Sequence, residues 1–143
     1  MTPFDALLLD MDGVLLDTRL SFTAAVVLSA RRCAAAPGLG AGWGGAEVEA
    51  LRLAGGFNND WDGAAAVALL GPGSWPGDPW VSLCGELAAE GGGPGAVASR
   101  CGEDVWAAMR ARVTPVFQCL YAGPRALPVR ARPGRRAQLA AGL

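Results

Sequence analysis

Apolar residues follow two different patterns along this chain of 143 residues. Residues Phe4 to Leu9 form a short apolar run that ends in an Asp-Met-Asp-Gly turn, as a buried parallel strand does. From Arg19 onward, apolar residues recur at helical spacing in several stretches, and segments rich in glycine and proline separate these stretches. The pattern therefore predicts one N-terminal strand followed by several short helices.

The first predicted helix runs from about Arg19 to Ala36, with Asp17 or Thr18 as its cap and Pro37-Gly38 as its stop. Its expected apolar face consists of Leu20, Ala24, Val27 and Leu28.

The later helices are placed by their caps and breakers. Asn59 or Asp60 caps the third helix, Asp78-Pro79 starts the fourth, and the segment from Gly91 to Gly95 is a break. The apolar face expected for the fourth helix is Trp80, Leu83 and Leu87. The helices expected after the first cover residues 47–53, 61–70, a stretch from 78, residues 103–113, and a last helix that begins at Thr114-Pro115.

Composition limits the chemistry that the chain can perform. Hydrophobic residues make up 52% and charged residues 17%, which is typical of a folded domain rather than a disordered segment. The sequence contains no histidine and no lysine, so a Ser-His-Asp triad, a histidine-ligated zinc site, Schiff-base chemistry and a Walker-type lysine are all excluded. Catalysis must rest on carboxylates, arginine, cysteine, hydroxyls and backbone groups.

The net charge of −1 gives no strong attraction to nucleic acid or to anionic membranes, and we expect neither as a partner. Seven arginines and no acidic residue follow Asp104, so the tail is either a solvated terminus or a contact for an anionic partner. The four cysteines form no Cys-x-x-Cys pair, and the N-terminus does not resemble a signal peptide. These features predict free thiols in a cytoplasmic protein.

The stretch from Leu7 to Thr18 reads L-L-L-D-M-D-G-V-L-L-D-T and carries the candidate chemistry. Two carboxylates, Asp10 and Asp12, follow a buried strand directly, at the position where α/β folds bind ligands. Asp10 could attack a phosphorus atom, while Asp12 could protonate the leaving oxygen and then activate water. Two carboxylates beside a phosphate call for a divalent cation, for which Mg²⁺ is the natural candidate. Gly13 lets the backbone turn sharply beside the site.

This stretch resembles the first motif of the haloacid dehalogenase superfamily, D-x-D-G-V. The resemblance implies that the carboxylate of Asp10 and the main-chain carbonyl of Asp12 ligate Mg²⁺. It also implies a phosphatase or phosphotransferase rather than a dehalogenase, because dehalogenases lack the second aspartate. The alternative interpretation of the motif is a strand-to-helix turn with acidic caps.

Two further segments, Ala54–Asp62 and Phe117–Gly123, are similar to parts of a helical cap that one phosphatase-like subgroup inserts directly after the first motif. The resemblance implies an α/β fold: a Rossmann-like core, of which residues 1–18 supply the first strand and catalytic loop, and a helical cap over residues 19–122. By the same resemblance, residues 123–143 are a tail rich in arginine and proline that starts an incomplete return to the core. Candidate substrate-binding residues are Gly13, Asn58, Asn59 and Asp60. Alternatively, Asn59 and Asp60 only cap a helix while Trp61 packs in the core.

A complete member of this superfamily has a phosphate-holding Ser or Thr, a Lys and a late acidic pair after the cap, and this chain has none of them. We therefore expect a truncated chain, or one whose strand pairs with another subunit in a homo-oligomer. The function that the resemblance implies is that of a Mg²⁺-dependent hydrolase that acts on a small phosphorylated metabolite through an aspartyl-phosphate. The alternative is a non-catalytic remnant, a binding or scaffold protein built on the helical cap.

Overall fold

The computed structural model describes residues 19–34, 39, 42–71 and 77–122. The predicted N-terminal strand and the residues Asp10, Asp12 and Gly13 lie outside this range. Of the described residues 82% are helical and none is in a strand, which confirms that the chain is mostly helical. The six helices are α1 (Arg19–Cys33), α2 (Gly45–Leu53), α3 (Asp60–Leu70), α4 (Asp78–Ala89), α5 (Gly93–Cys101) and α6 (Glu103–Ala122).

Helices α1, α3 and α6 pack against one another and form the central bundle. Helix α2 packs mainly on α4, while α5 contacts α6, α3 and α4. Helix α3 lies deepest, because all six residues from Gly63 to Ala68 are buried. Four of these six are alanines, and their small side chains allow the neighbouring helices to approach closely.

Helices α1 and α6 run antiparallel. Phe22, near the start of α1, stacks on Tyr121, near the end of α6, with ring centroids 4.3 Å apart. At the other end, the Cys33 thiol lies 3.9 Å from the carbonyl oxygen of Arg112. The start of α3 lies at the Tyr121 end, since the Trp61 ring packs edge-on against Phe117 at 6.3 Å. We call this end of the bundle, formed by Phe22, Trp61, Phe117 and Tyr121, the entry end.

The predicted apolar face of α1 was wrong. Leu20 is 86% exposed, Leu28 is 48% exposed and Ala24 is also exposed, whereas Val27 is buried as expected. Apolar residues lie all around this helix, so their spacing alone could not identify the inward side. The helix also ends at Cys33, three residues before the predicted end. The buried face consists of Ala25, Val26, Val27, Ser29, Ala30 and Cys33.

Helix α5 was not predicted, because its first turn reads Gly93-Pro94-Gly95, which is a typical break. Proline is well tolerated in the first turn of a helix, where its missing N–H has no helical acceptor. The break itself is correct but shorter than predicted, and it lies at residues 90–92. The residues after Pro94 are mostly small or polar and show no clear helical pattern of apolar residues, although Val97 in the middle of the helix is fully buried.

Residues 103–122 form one helix rather than the two that were predicted, and Pro115 lies inside it. An internal proline removes one backbone hydrogen bond and costs about 3 kcal/mol. The missing bond is the one to the Ala111 carbonyl, and the packing of the residues beside the proline offsets its loss. The Thr114 hydroxyl donates to the Arg110 carbonyl at 2.8 Å, and Val113 and Phe117 are buried on either side of the proline.

The fourth helix begins at Asp78-Pro79, as predicted, and its apolar face joins α4 to α2. Trp80 and Leu87 are fully buried, and Leu83 packs at the edge of the core. The Trp80 indole N–H donates to the backbone carbonyl of Glu47 at 2.8 Å. Its ring meets Trp43 edge-on at 4.6 Å, so this contact ties both α2 and the segment before it to α4.

Two glycine turns touch where the end of α2 meets the start of α5. Gly92 has a φ of 69°, and a Cβ atom added to it would lie 2.6 Å from the Ala54 carbonyl oxygen. Gly91 has a φ of 97°, but a Cβ atom there would meet nothing within 4 Å. A side chain at Gly91 would therefore meet only the strain of a positive φ, whereas one at Gly92 would also collide with the backbone.

We expect Gly92→Ala to lower the free energy of unfolding by roughly two to three times as much as Gly91→Ala, which should cost about 1 kcal/mol. Both substitutions force alanine into a left-handed conformation, but only the first also pushes the two turns apart. Urea denaturation of both variants measures the difference. Equal losses would show that the turns separate without cost.

Ser29 lies in the interface of the central bundle with no exposed surface, and its hydroxyl has no hydrogen-bond partner among the described residues. An unpaired buried hydroxyl is unfavourable, so Ser29→Ala should raise the free energy of unfolding by about 1 kcal/mol. Ser99→Ala is the matched control, because the exposed Ser99 hydroxyl donates to the Gly95 carbonyl, and its effect should stay within about 0.5 kcal/mol of zero. Loss of stability in the Ser29 variant would contradict this account.

Within the described ranges, no helix combines the length and apolar character that crossing a lipid bilayer requires.

Candidate functional site

The predicted site residues fall into two groups. Asp10, Asp12 and Gly13 are outside the described residues, whereas Asn58, Asn59 and Asp60 form the turn that leads into α3. This turn immediately precedes Trp61 and so lies at the entry end.

Asn59 occupies the N-cap position of α3. Its backbone is extended, with φ −119° and ψ 132°, and its carbonyl accepts hydrogen bonds from the N–H groups of Asp62 and Gly63. Its side chain makes no capping hydrogen bond, although asparagine usually makes one at this position. Asn58, one residue earlier, is exposed. The backbone of Asn59 thus caps the helix as predicted, but its side chain does not.

Two ion pairs flank this turn. Arg52, near the end of α2, donates to Asp60 at 3.0 Å. Arg110, in α6, donates through Nε to Oδ1 of Asp62 at 2.5 Å, and the Asn59 amide donates to Oδ2 of the same carboxylate at 3.3 Å. The Asp62 side chain is only 7% exposed, while that of Arg110 is 47% exposed. These contacts join three helices around the turn.

The sequence did not identify Asp62, Arg52 or Arg110 as parts of this cluster. The signals for Asp62 were its place in the first turn of a helix, where acidic residues are common, and its position at the end of the segment that resembles a cap. Its partner Arg110 lies 48 residues away, and no local pattern connects the two.

Trp61 packs against the core, as the second interpretation of this segment predicted. It begins a row of aromatic rings across the entry end, which continues through Phe117 and Tyr121 to Phe22. The row links the beginnings of α1 and α3 to the end of α6. It therefore places the turn at Asn58–Asp60 beside both ends of the helical region.

The described part of the site is suited to binding rather than to proton transfer. Asp60 and Asp62 are each paired with an arginine, so neither is a free base. A guanidinium group carries five N–H donors, which leaves Arg52 and Arg110 with further donors to offer. In the part of the chain that the structure describes, no three metal-ligating side chains lie close enough together to hold an ion.

The cysteines are free, as predicted, and burial makes two of them poor nucleophiles. Burial raises the pKa of the Cys84 thiol to about 11 and also raises the pKa of Cys33. Both therefore remain protonated at neutral pH, and the reactive species of cysteine is the thiolate.

Two hollows of about 500 Å³ each open on the described surface. One lies along α6 beside the exposed part of Arg110, and its other walls are Trp106, Ala107, Ala111, Thr114 and Pro115. The other is an apolar groove between α2 and α4, with Leu53, Val81 and Cys84 in its walls.

Comparison of the chain with protein-family models, with curated proteins and with solved structures gives no match.

Proposed function

We propose that this chain is a phosphatase of the haloacid dehalogenase type, in which a helical cap follows the first catalytic motif. It would hydrolyse a small phosphomonoester, with Asp10 as the nucleophile and Asp12 as the acid and base. The motif from Leu7 to Thr18 supplies the chemistry. The helical character of the described residues fits a cap of the kind that the resemblance implies.

The observation that carries the proposal is that the two ends of the helical region and the turn at Asn58–Asp60 lie together at the entry end. An inserted domain needs its two ends close together, because both connect to the same host. Phe22 and Tyr121, three residues from Arg19 and one from Ala122, are stacked at 4.3 Å. The turn at Asn58–Asp60 lies at this same end. Asp12 precedes Arg19, the first residue of α1, by seven residues, which span at most about 25 Å.

The reaction would proceed in two steps. The Asp10 carboxylate attacks phosphorus, the bond from phosphorus to the leaving oxygen breaks, and Asp12 gives that oxygen its proton. Asp12 then takes a proton from water, which attacks the aspartyl-phosphate and releases inorganic phosphate and free Asp10. Mg²⁺, held through Asp10 and the Asp12 carbonyl, would offset the negative charge of the phosphate.

The test is release of inorganic phosphate from a panel of small phosphomonoesters by the full-length chain, with and without Mg²⁺. We expect turnover that a chelator abolishes and that added Mg²⁺ restores. No release from any member of the panel at saturating Mg²⁺ would overturn the proposal for this chain.

The second candidate function is a non-catalytic binding protein built on the helices. One observation favours it: the described helices enclose a core of buried residues, with Trp80, Val67 and Val97 fully buried, made by residues from 25 to 117. Titration calorimetry with MgCl₂ separates the two candidates. A stably folded chain that binds no Mg²⁺ would support the binding protein.

A further inference from the structure

The apolar groove between α2 and α4 has two walls that run in the same direction. Near the start of both helices, the Trp80 indole N–H donates to the Glu47 carbonyl. At the other end, Gly92, which follows α4, lies against the backbone of Ala54, which follows α2. The two helices are therefore parallel along the whole groove.

Large and small side chains alternate between the two ends of this groove. Three residues of each helix line it at positions i, i+4 and i+7, which are Ala46, Ala50 and Leu53 on α2, and Val81, Gly85 and Ala88 on α4. Leu53 ends α2 and is 79% exposed, while Val81 lies near the start of α4 and is 55% exposed. Each wall thus has a large exposed apolar side chain at one end and an alanine at the other.

Gly85, at the centre of the α4 wall, is unexplained by the fold of a single chain. A glycine inside a helix lowers its stability relative to alanine. A Cβ atom added at Gly85 would meet no atom of the described residues within 4 Å, so the packing of this chain does not require a glycine there. A missing side chain on an exposed helix face lets another backbone approach closely.

We propose that this groove is the contact face of a two-fold symmetric dimer, and that its occupant is a second copy of the chain. A two-fold axis that lies in the plane of the face and crosses both helices at right angles makes the helices of the two copies antiparallel. Leu53 of one copy then lies over Ala46 of the other, and Val81 lies over Ala88. Each large side chain meets a small one, and Gly85 lies at the centre, where the two backbones come closest.

The charges at the edge of this face are also complementary to themselves. Glu49 is exposed, and its carboxylate lies 3.9 Å from the Arg52 guanidinium of its own copy, a long ion pair. When two α2 helices are antiparallel and centred on Ala50, Glu49 of one copy comes within one helical turn of Arg52 of the other. Opposite charges at the rim of an interface favour one orientation of the partners over others.

The size of the face indicates how strongly the copies associate. The nine residues of α2 and the twelve of α4 span about 14 and 18 Å, and each helix is about 10 Å wide, so the face covers roughly 300 Å². Stable interfaces bury about 800 Å² on each partner. The dimer is therefore weak, and it forms at high protein concentration.

Sedimentation of the full-length chain, from about 1 μM to about 1 mM, should show a reversible change from monomer to dimer in the upper part of the range. Gly85→Gln places a side chain at the centre of the face and should raise the dimer Kd at least about tenfold. Because glutamine forms helices better than glycine, its urea midpoint should be unchanged or higher, so unfolding cannot explain the loss of dimer. Leu53→Gln should raise the Kd by a similar factor.

Leu20→Gln is the matched control, because it makes the same change at an exposed leucine of α1 that does not line the groove, and it should leave the Kd within about twofold. A chain that stays monomeric up to about 1 mM would overturn the proposal. A dimer that the Gly85 and Leu53 variants leave intact would overturn it as well, because the copies would then pair through another surface. An equal loss in the Leu20 variant would show unspecific apolar association instead. None of these outcomes depends on phosphatase activity.

Discussion

Trp80→Ala is expected to lower the free energy of unfolding by about 3–5 kcal/mol, the range typical of a large aromatic side chain removed from a core. Trp80 has no exposed surface, and it contacts Trp43 while donating to the Glu47 carbonyl. Alanine would leave a cavity between α2 and α4 and would also leave that carbonyl without its partner. Denaturation in urea, followed by circular dichroism, measures the loss.

Trp80→Phe is the control that separates the contribution of the buried ring from that of the hydrogen bond. Phenylalanine keeps most of the buried ring but cannot donate to Glu47, so its cost should be about 1–3 kcal/mol. A loss below about 1 kcal/mol for Trp80→Ala would mean that α2 and α4 do not pack as described.

Asp10→Asn should reduce kcat for phosphomonoester hydrolysis by at least about three orders of magnitude. The side-chain amide has almost the same shape as the carboxylate but cannot attack phosphorus, so binding persists while the chemical step is lost. Phosphate release under saturating substrate and Mg²⁺ measures the effect. Trapping with acid should detect the phosphorylated enzyme in the unmodified chain and not in the variant.

Asp5→Asn is the matched control, because it makes the same chemical change five residues earlier and should leave kcat within about twofold. Hydrolysis that survives Asp10→Asn would remove Asp10 from the mechanism and would point to another nucleophile.

The fold could be predicted from sequence where a cap or a breaker marks an element. Asp78-Pro79 gave the start of α4, and Asn59 gave the start of α3 to within one residue. Prediction failed where the same residues serve two structures. A Thr-Pro pair can either start a helix or lie inside one. At Thr114-Pro115 it lies inside α6, and only tertiary packing decides between the two.

The candidate site was predictable only in part, for a related reason. Asn58, Asn59 and Asp60 stood out as a polar cluster before an apolar stretch, and the structure places them on one turn. Arg110 approaches that turn only because α6 packs on α3, a contact between residues 48 positions apart. Long-range pairs of this kind leave no trace in a single sequence.

The stacking of Phe22 on Tyr121 has a consequence for protein engineering. Because α1 begins beside the point where α6 ends, a few glycine and serine residues would suffice to join them. The helical region therefore lends itself to circular permutation, with a new opening at the solvent-exposed Glu90-Gly91 turn. For the same reason, it could be transplanted into a surface loop of an unrelated host without stretching the host backbone.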